Sequence, residues 1–121
     1  MNNYLGEITT QNITMQRGDS KSYTITLKDG DGVQIPFTTG DSVFFTAKLD
    51  LSEETPDISV EVTTFIDGSA IIYLVPSATD SLAPDTYNYD IQWNTGTDKY
   101  TIIKGFLRIE EDVTRDWNRC N

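Results

Sequence analysis

The chain contains no histidine. That absence removes Ser-His-Asp and Cys-His nucleophilic pairs, histidine-based zinc sites and the commonest general base together. A single cysteine, Cys120, stands next to last of 121 residues, so no intrachain disulfide can form and cysteine usage says nothing of redox compartment. Basic residues are few: nine Lys and Arg against nineteen Asp and Glu give a formal net charge of -10. So acidic a chain repels phosphate backbones and anionic lipid alike, and neither nucleic acid nor a membrane surface is an expected partner. No apolar run approaches the length of a spanning helix, and no segment keeps a 3.6-residue apolar period beyond a turn or two. Met1 to Ile8 has neither the basic start nor the apolar run of a signal peptide, so export by the general secretory route is not expected. Carboxylates are plentiful, but the pair that hydrolyses a glycoside needs a fixed separation across a cleft, and these fall mostly in turns. No enzyme, no cofactor and no dedicated metal site is expected.

What is present is alternation. The hydrophobic content is 37%, below the average for globular domains, yet the 6 Tyr, 5 Phe and 2 Trp are concentrated in alternating runs, which separates this chain from a disordered acidic one. Its length fits one domain that can bury a core without disulfides. Tyr23, Ile25 and Leu27 alternate with polar residues; Val43, Phe45, Ala47 and Leu49 do the same, with Phe44 as a misfit on the polar face; Ile58, Val60 and Val62 follow. Asp29-Gly30-Asp31-Gly32 and Asp67-Gly68 are turn signals, since Gly supplies positive φ and Asp tolerates it. Val33 to Phe37 is a short strand that Pro36 restricts to an edge or an end. Ala70 to Val75 is apolar on both faces, which predicts either a central strand or an outer face that something covers. Pro76 to Ser81 suits one helical turn, Asn94 to Thr97 a hairpin turn, and Tyr100 to Ile109 the last strand, with Gly105 marking a bulge.

The strongest segment runs from Leu82 to Trp93. After a Pro-Asp turn, Tyr87, Tyr89, Ile91 and Trp93 alternate with Asn88, Asp90 and Gln92, giving a strand with one almost wholly aromatic face. Leu82, Pro84 and Tyr87 resemble the tyrosine corner of immunoglobulin-like sandwiches, in which the hydroxyl bonds back to the backbone of the preceding corner. About seven strands, with turn signals at sandwich spacing, predict an all-β fold: a single antiparallel immunoglobulin-like β-sandwich over residues 13–112. An N-terminal arm or edge strand occupies 1–12 and a polar tail 113–121. The expected core is Tyr23, Ile25, Leu27, Val43, Phe45, Ile72, Leu74, Tyr87, Tyr89, Ile91 and Leu107. A small closed barrel is the alternative that periodicity does not separate from two packed sheets.

Three stretches carry candidate sites. Arg17-Gly18-Asp19 is the tripeptide read by integrins; its structural alternative is a turn at Gly18 with Arg17 as a solvated charge. Asp29 to Gly32 resembles the start of a calcium loop, but its twelfth position is Gly40 where a glutamate is required, so calcium would need Asp41 or Asp67 from another loop. Phe44, Tyr73 and Trp117 are large aromatics off the main core face and are the candidate interface residues, the alternative being that the arm or tail of this chain covers them.

Ile13 to Ser20, Asp31-Gly32, Asp41 to Lys48, Leu82 to Gln92, and Gly105 to Thr114 with its Asp112-Val-Thr ending resemble, in that order, small immunoglobulin-like domains of tailed-bacteriophage and prophage structural proteins. The N-terminal domain of baseplate upper proteins looks nearest. The resemblance implies a non-enzymatic virion component of tail or baseplate, assembled in the host cytoplasm, whose partners are other virion proteins or copies of itself. A capsid decoration or head-fibre protein, and a carbohydrate-binding adhesion module that stacks sugars on exposed aromatics, are the alternatives.

Overall fold

The regular structure among the described residues is almost wholly strand, because β-branched and aromatic residues recur with period two and turn residues punctuate them. The computed structural model describes residues 9–111. Met1 to Ile8, Asp112 and the tail 113–121, and with it Trp117 and Cys120, lie outside the described residues. In chain order the strands are β1 (Thr9–Thr10), β2 (Ile13–Gln16), β3 (Lys21–Ile25), β4 (Leu27–Lys28), β5 (Gln34–Ile35), β6 (Ser42–Lys48), β7 (Ile58–Val62), β8 (Ala70–Leu74), β9 (Asp85–Asn94) and β10 (Lys99–Glu110). The single 3-10 turn among the described residues, Pro76–Ala78, begins at proline, whose missing N–H is no loss there. No α-helix occurs among the described residues.

The largest sheet runs β7-β6-β9-β10, with both β1 and β2 on the far side of β10. β3 pairs with β8, and β4 with β5, as two separate two-stranded sheets. The expectation of a purely antiparallel arrangement is corrected at one edge: β1 and β2 run parallel to β10, Thr9 opposite Ile103 and Ile13 opposite Leu107. These two pieces are one edge segment interrupted at Gln11 and Asn12. The interruption is closed by other hydrogen bonds: Gln11 N–H donates to Lys104 O (3.0 Å), Tyr89 Oη donates to Gln11 O (2.6 Å), and Asn12 Oδ1 accepts the Phe106 N–H (3.0 Å).

Inward residues of all three sheets meet in one core. Val43, Phe45 and Ala47 of β6, Ala70, Ile72 and Leu74 of β8, and Leu107 of β10 are wholly buried. Phe45 stacks on Tyr89, and Phe37 meets the edge of Trp93. Ile13, Met15, Ile35, Phe37, Ile58, Trp93, Ile102 and Ile109 join a core wider than the sequence predicts.

Several expectations change in the packed molecule. Tyr23 is only partly buried, at the margin of the core. Leu49 turns to solvent because β6 ends at Lys48 and the Leu49 N–H is taken by Asp57 Oδ2 at 2.8 Å. Gly105 is not a bulge: the register slips between Thr101 and Ile103, whereas Gly105 pairs regularly with Tyr89. Its lack of a side chain serves the edge segment, since a Cβ there would overlap the Gln11 carbonyl oxygen and stand 2.8 Å from the Gln11 carbonyl carbon. β8, finally, is no central strand. Its one partner among the described residues is β3, and Ile71 and Tyr73 on its outer face, with Val75 just beyond its end, are exposed.

Candidate functional site

Two outward sheet faces, one corner and the turns around Asp29, Asp41 and Asp67 hold those residues the sequence singles out that are described. The corner joins β8 to β9. Leu82 is half-buried, its N–H bonded to Thr79 O (2.9 Å), while Pro84 is exposed in the turn. Tyr87 is 2% exposed, and its hydroxyl donates to Ala83 O at 2.8 Å. Burial first, and then the carboxylates of Asp57, Asp85 and Glu53, push the Tyr87 hydroxyl pKa above its usual value.

Arg17 to Asp19 packs against the same corner. Arg17 is 8% exposed, so its reading as a solvated charge is overturned: its Nη1 donates to Leu82 O (3.3 Å) and its backbone N–H to Glu110 O (2.8 Å). Gly18 takes a φ of 82° and gives its N–H to Oγ1 of the fully buried Thr79 at 2.8 Å. Only a residue without a Cβ adopts that conformation freely. The tripeptide ties the edge strand to the corner, and its guanidinium is not presented outward.

The Asp29 to Gly32 stretch closes the β4–β5 hairpin. Asp29 Oδ1 accepts the N–H groups of Asp31 and Val33, both at 2.9 Å. Asp41 is nearly buried elsewhere, where its Oδ2 accepts from Thr38 N–H (3.0 Å) and from the Trp93 indole (3.3 Å). Asp67 sits in the turn before Ser69 at a φ of 53°. Among the described residues no group of three or more His, Cys, Asp or Glu is arranged to hold a metal ion.

The first outward face belongs to β8. Period-two geometry that buries Ala70, Ile72 and Leu74 necessarily turns Ile71, Tyr73 and Val75 out. Tyr73, 51% exposed, stands opposite Ser22 of β3, and Ile71 opposite Thr24. The result is an apolar strip three residues long beside a hydroxyl-bearing one.

The second face is the outside of the large sheet. Phe44 is half-buried there between Glu61 of β7 and Gln92 of β9. Asp90 lies between Thr46 and Lys104; burial raises its carboxyl pKa, and Lys104 and Lys48 offset part of that rise. Phe106, 51% exposed, stands opposite Asn88 with Lys104 and Arg108 two positions away along β10. The sequence reading missed Phe106. It falls out of phase with Leu107 and Ile109, a signal that assigning a bulge to Gly105 obscured. Phe44 and Tyr73 therefore belong to the outer faces of two different sheets and do not form one patch. Comparison with models of known protein families finds no match to this chain, and comparison with curated proteins finds none.

Proposed function

We propose that the chain is a non-enzymatic structural component of a tailed-bacteriophage virion, in tail or baseplate, that works through protein–protein contacts. The observation that carries this reading is the outward face of β8, where Ile71, Tyr73 and Val75 stand exposed on a two-stranded sheet. Apolar area of that kind is stabilised by a covering partner at about 25 cal/mol per Å². The resemblance to virion immunoglobulin-like domains supports the class of partner. We read the fold as a seven-stranded immunoglobulin-like sandwich: β1 with β2 as one interrupted edge strand, then β3, β6, β7, β8, β9 and β10, with β4–β5 inserted as a hairpin. In this scheme the order β7-β6-β9-β10 corresponds to C′-C-F-G, and β3 and β8 take the B and E positions. The hydrogen bond from the Tyr87 hydroxyl back to Ala83 O is of the kind a tyrosine corner makes and supports this reading.

Mass spectrometry of purified particles tests the reading, with heads and tails separated before digestion. The chain is expected at stoichiometric level in the tail fraction, and Tyr73→Lys should reduce its incorporation. Recovery with heads alone would favour a capsid decoration or head-fibre protein. Absence from washed particles would overturn the virion assignment. The exposed rings of Tyr73 and Phe106 favour one second reading, a carbohydrate-binding module, which polysaccharide binding abolished by Tyr73→Ala or Phe106→Ala would establish.

A further inference from the structure

We propose that the outward face of β10 around Phe106 is a docking site for the acidic loop 49–57 of a second copy of this chain. Charge complementarity carries the inference. In a protein of net charge -10, the outer face of the large sheet gathers Lys48, Lys99, Lys104 and Arg108, more than half of the basic residues between Thr9 and Glu111. Three carboxylates share that face. Glu61 lies toward β7, Glu110 pairs with Arg108 at 3.3 Å in an exposed contact worth little, and Asp90 is half-buried beside Lys104. Phe106 is exposed on this face, between Lys104 and Arg108 along β10.

The loop after β6 has the matching chemistry. It holds Asp50, Glu53, Glu54 and Asp57, with Leu51 at its tip 72% exposed. The loop is ordered by its own hydrogen bonds: Asp50 N–H to Glu53 Oε1 (2.8 Å), Ser52 N–H and Oγ to Asp50 Oδ1 (2.9 and 2.8 Å), and Leu49 N–H to Asp57 Oδ2 (2.8 Å). The Ser52 bonds hold the Asp50 carboxyl below its usual pKa, so it stays ionised. A leucine presented by a loop already fixed in shape loses little conformational freedom on binding. It supplies an apolar knob with an acidic rim, and Phe106 supplies an apolar platform with a basic rim.

Loop and platform are neighbours on one molecule, since Asn88, which stands opposite Phe106, donates through Nδ2 to Leu49 O at 3.4 Å. Adjacent patches of opposite sign are self-complementary about a two-fold axis, so each contact is made twice in a dimer. This inference does not rest on the virion assignment, and a purified chain is enough to test it.

The experiment is sedimentation velocity on three proteins at matched ionic strength: wild type, Lys104→Glu with Arg108→Glu, and Glu53→Lys with Glu54→Lys. Wild type should associate as concentration rises, and each charge-reversed protein alone should associate about tenfold more weakly or not at all. An equimolar mixture of the two reversed proteins should associate again, because each then offers what the other lacks. Leu51→Ser, at an exposed loop tip, should weaken association without moving the urea midpoint. A wild type that stays monomeric throughout, a mixture that does not recover, or an unchanged Leu51→Ser would each overturn the proposal.

Discussion

Gly105→Ala should destabilise the protein even though the mutated residue lies in a regular strand and its φ is not in the left-handed region. The added Cβ would overlap the Gln11 carbonyl oxygen, stand 2.8 Å from the Gln11 carbonyl carbon and 3.0 Å from Asn12 Oδ1. Two of those atoms are backbone, so the relief must come from the Gln11–Asn12 segment moving off β10. That movement forfeits the Gln11 N–H bond to Lys104, the Tyr89 hydroxyl bond to Gln11 and the Phe106 N–H bond to Asn12. At a net value of about 1 kcal/mol each, the loss is about 3 kcal/mol. Replacing a glycine whose backbone conformation alanine can adopt returns about 0.4–1 kcal/mol through the unfolded chain. A net loss of about 2 kcal/mol follows, and with an m-value near 2 kcal/mol/M the urea midpoint should fall by about 1 M. Tyr89→Phe should cost less in the Gly105→Ala background than in wild type, because the hydrogen bond it removes is already broken. Amide exchange should accelerate at Phe106. A change in stability within about 0.5 kcal/mol, or full additivity with Tyr89→Phe, would refute the reasoning.

Tyr87→Phe removes the 2.8 Å bond to Ala83 from the corner and should lower stability by about 1 kcal/mol; a midpoint shift no larger than that of Tyr100→Phe would remove the corner from the explanation. Tyr23 has a hydroxyl that is buried with no hydrogen-bond partner among the described residues, and burial, then Tyr89, push its pKa up to about 12. The folded state thus holds its proton where the unfolded state releases it, so this contribution is complete below the ordinary tyrosine pKa of about 10 and is lost as pH rises toward about 12. Tyr23→Phe should be neutral or stabilising at pH 7 and should flatten the fall in melting temperature above pH 10; a clear destabilisation at neutral pH would contradict it. Millimolar calcium should leave the melting temperature within error, because the Asp29 and Asp41 carboxylates already accept hydrogen bonds in separate places; a rise of several degrees would reveal a site on the native state.

The sequence by itself determined those features whose cause lies within a few residues. Val43, Phe45 and Ala47 were legible as an inward row, as were Tyr87, Tyr89 and Ile91, because a pleated strand sends alternate side chains to opposite faces whatever its neighbours are. The hairpin at Asp29 to Gly32 was legible for the same reason, since Asp29 bonds residues two and four positions ahead. Tertiary structure alone decided whatever depends on distant partners. Leu49 shares the phase of Val43, Phe45 and Ala47 but is exposed, because β6 ends before it and Asp57 takes its N–H. Arg17 is buried because Leu82, 65 residues away, offers a carbonyl, and Gly105 must be glycine because Gln11 crosses it. The outer faces follow the same division. Alternation states that Ile71, Tyr73 and Val75 share a face, but whether that face is covered depends on which strands pack beside β8, and no local period encodes contacts between segments so far apart in the chain.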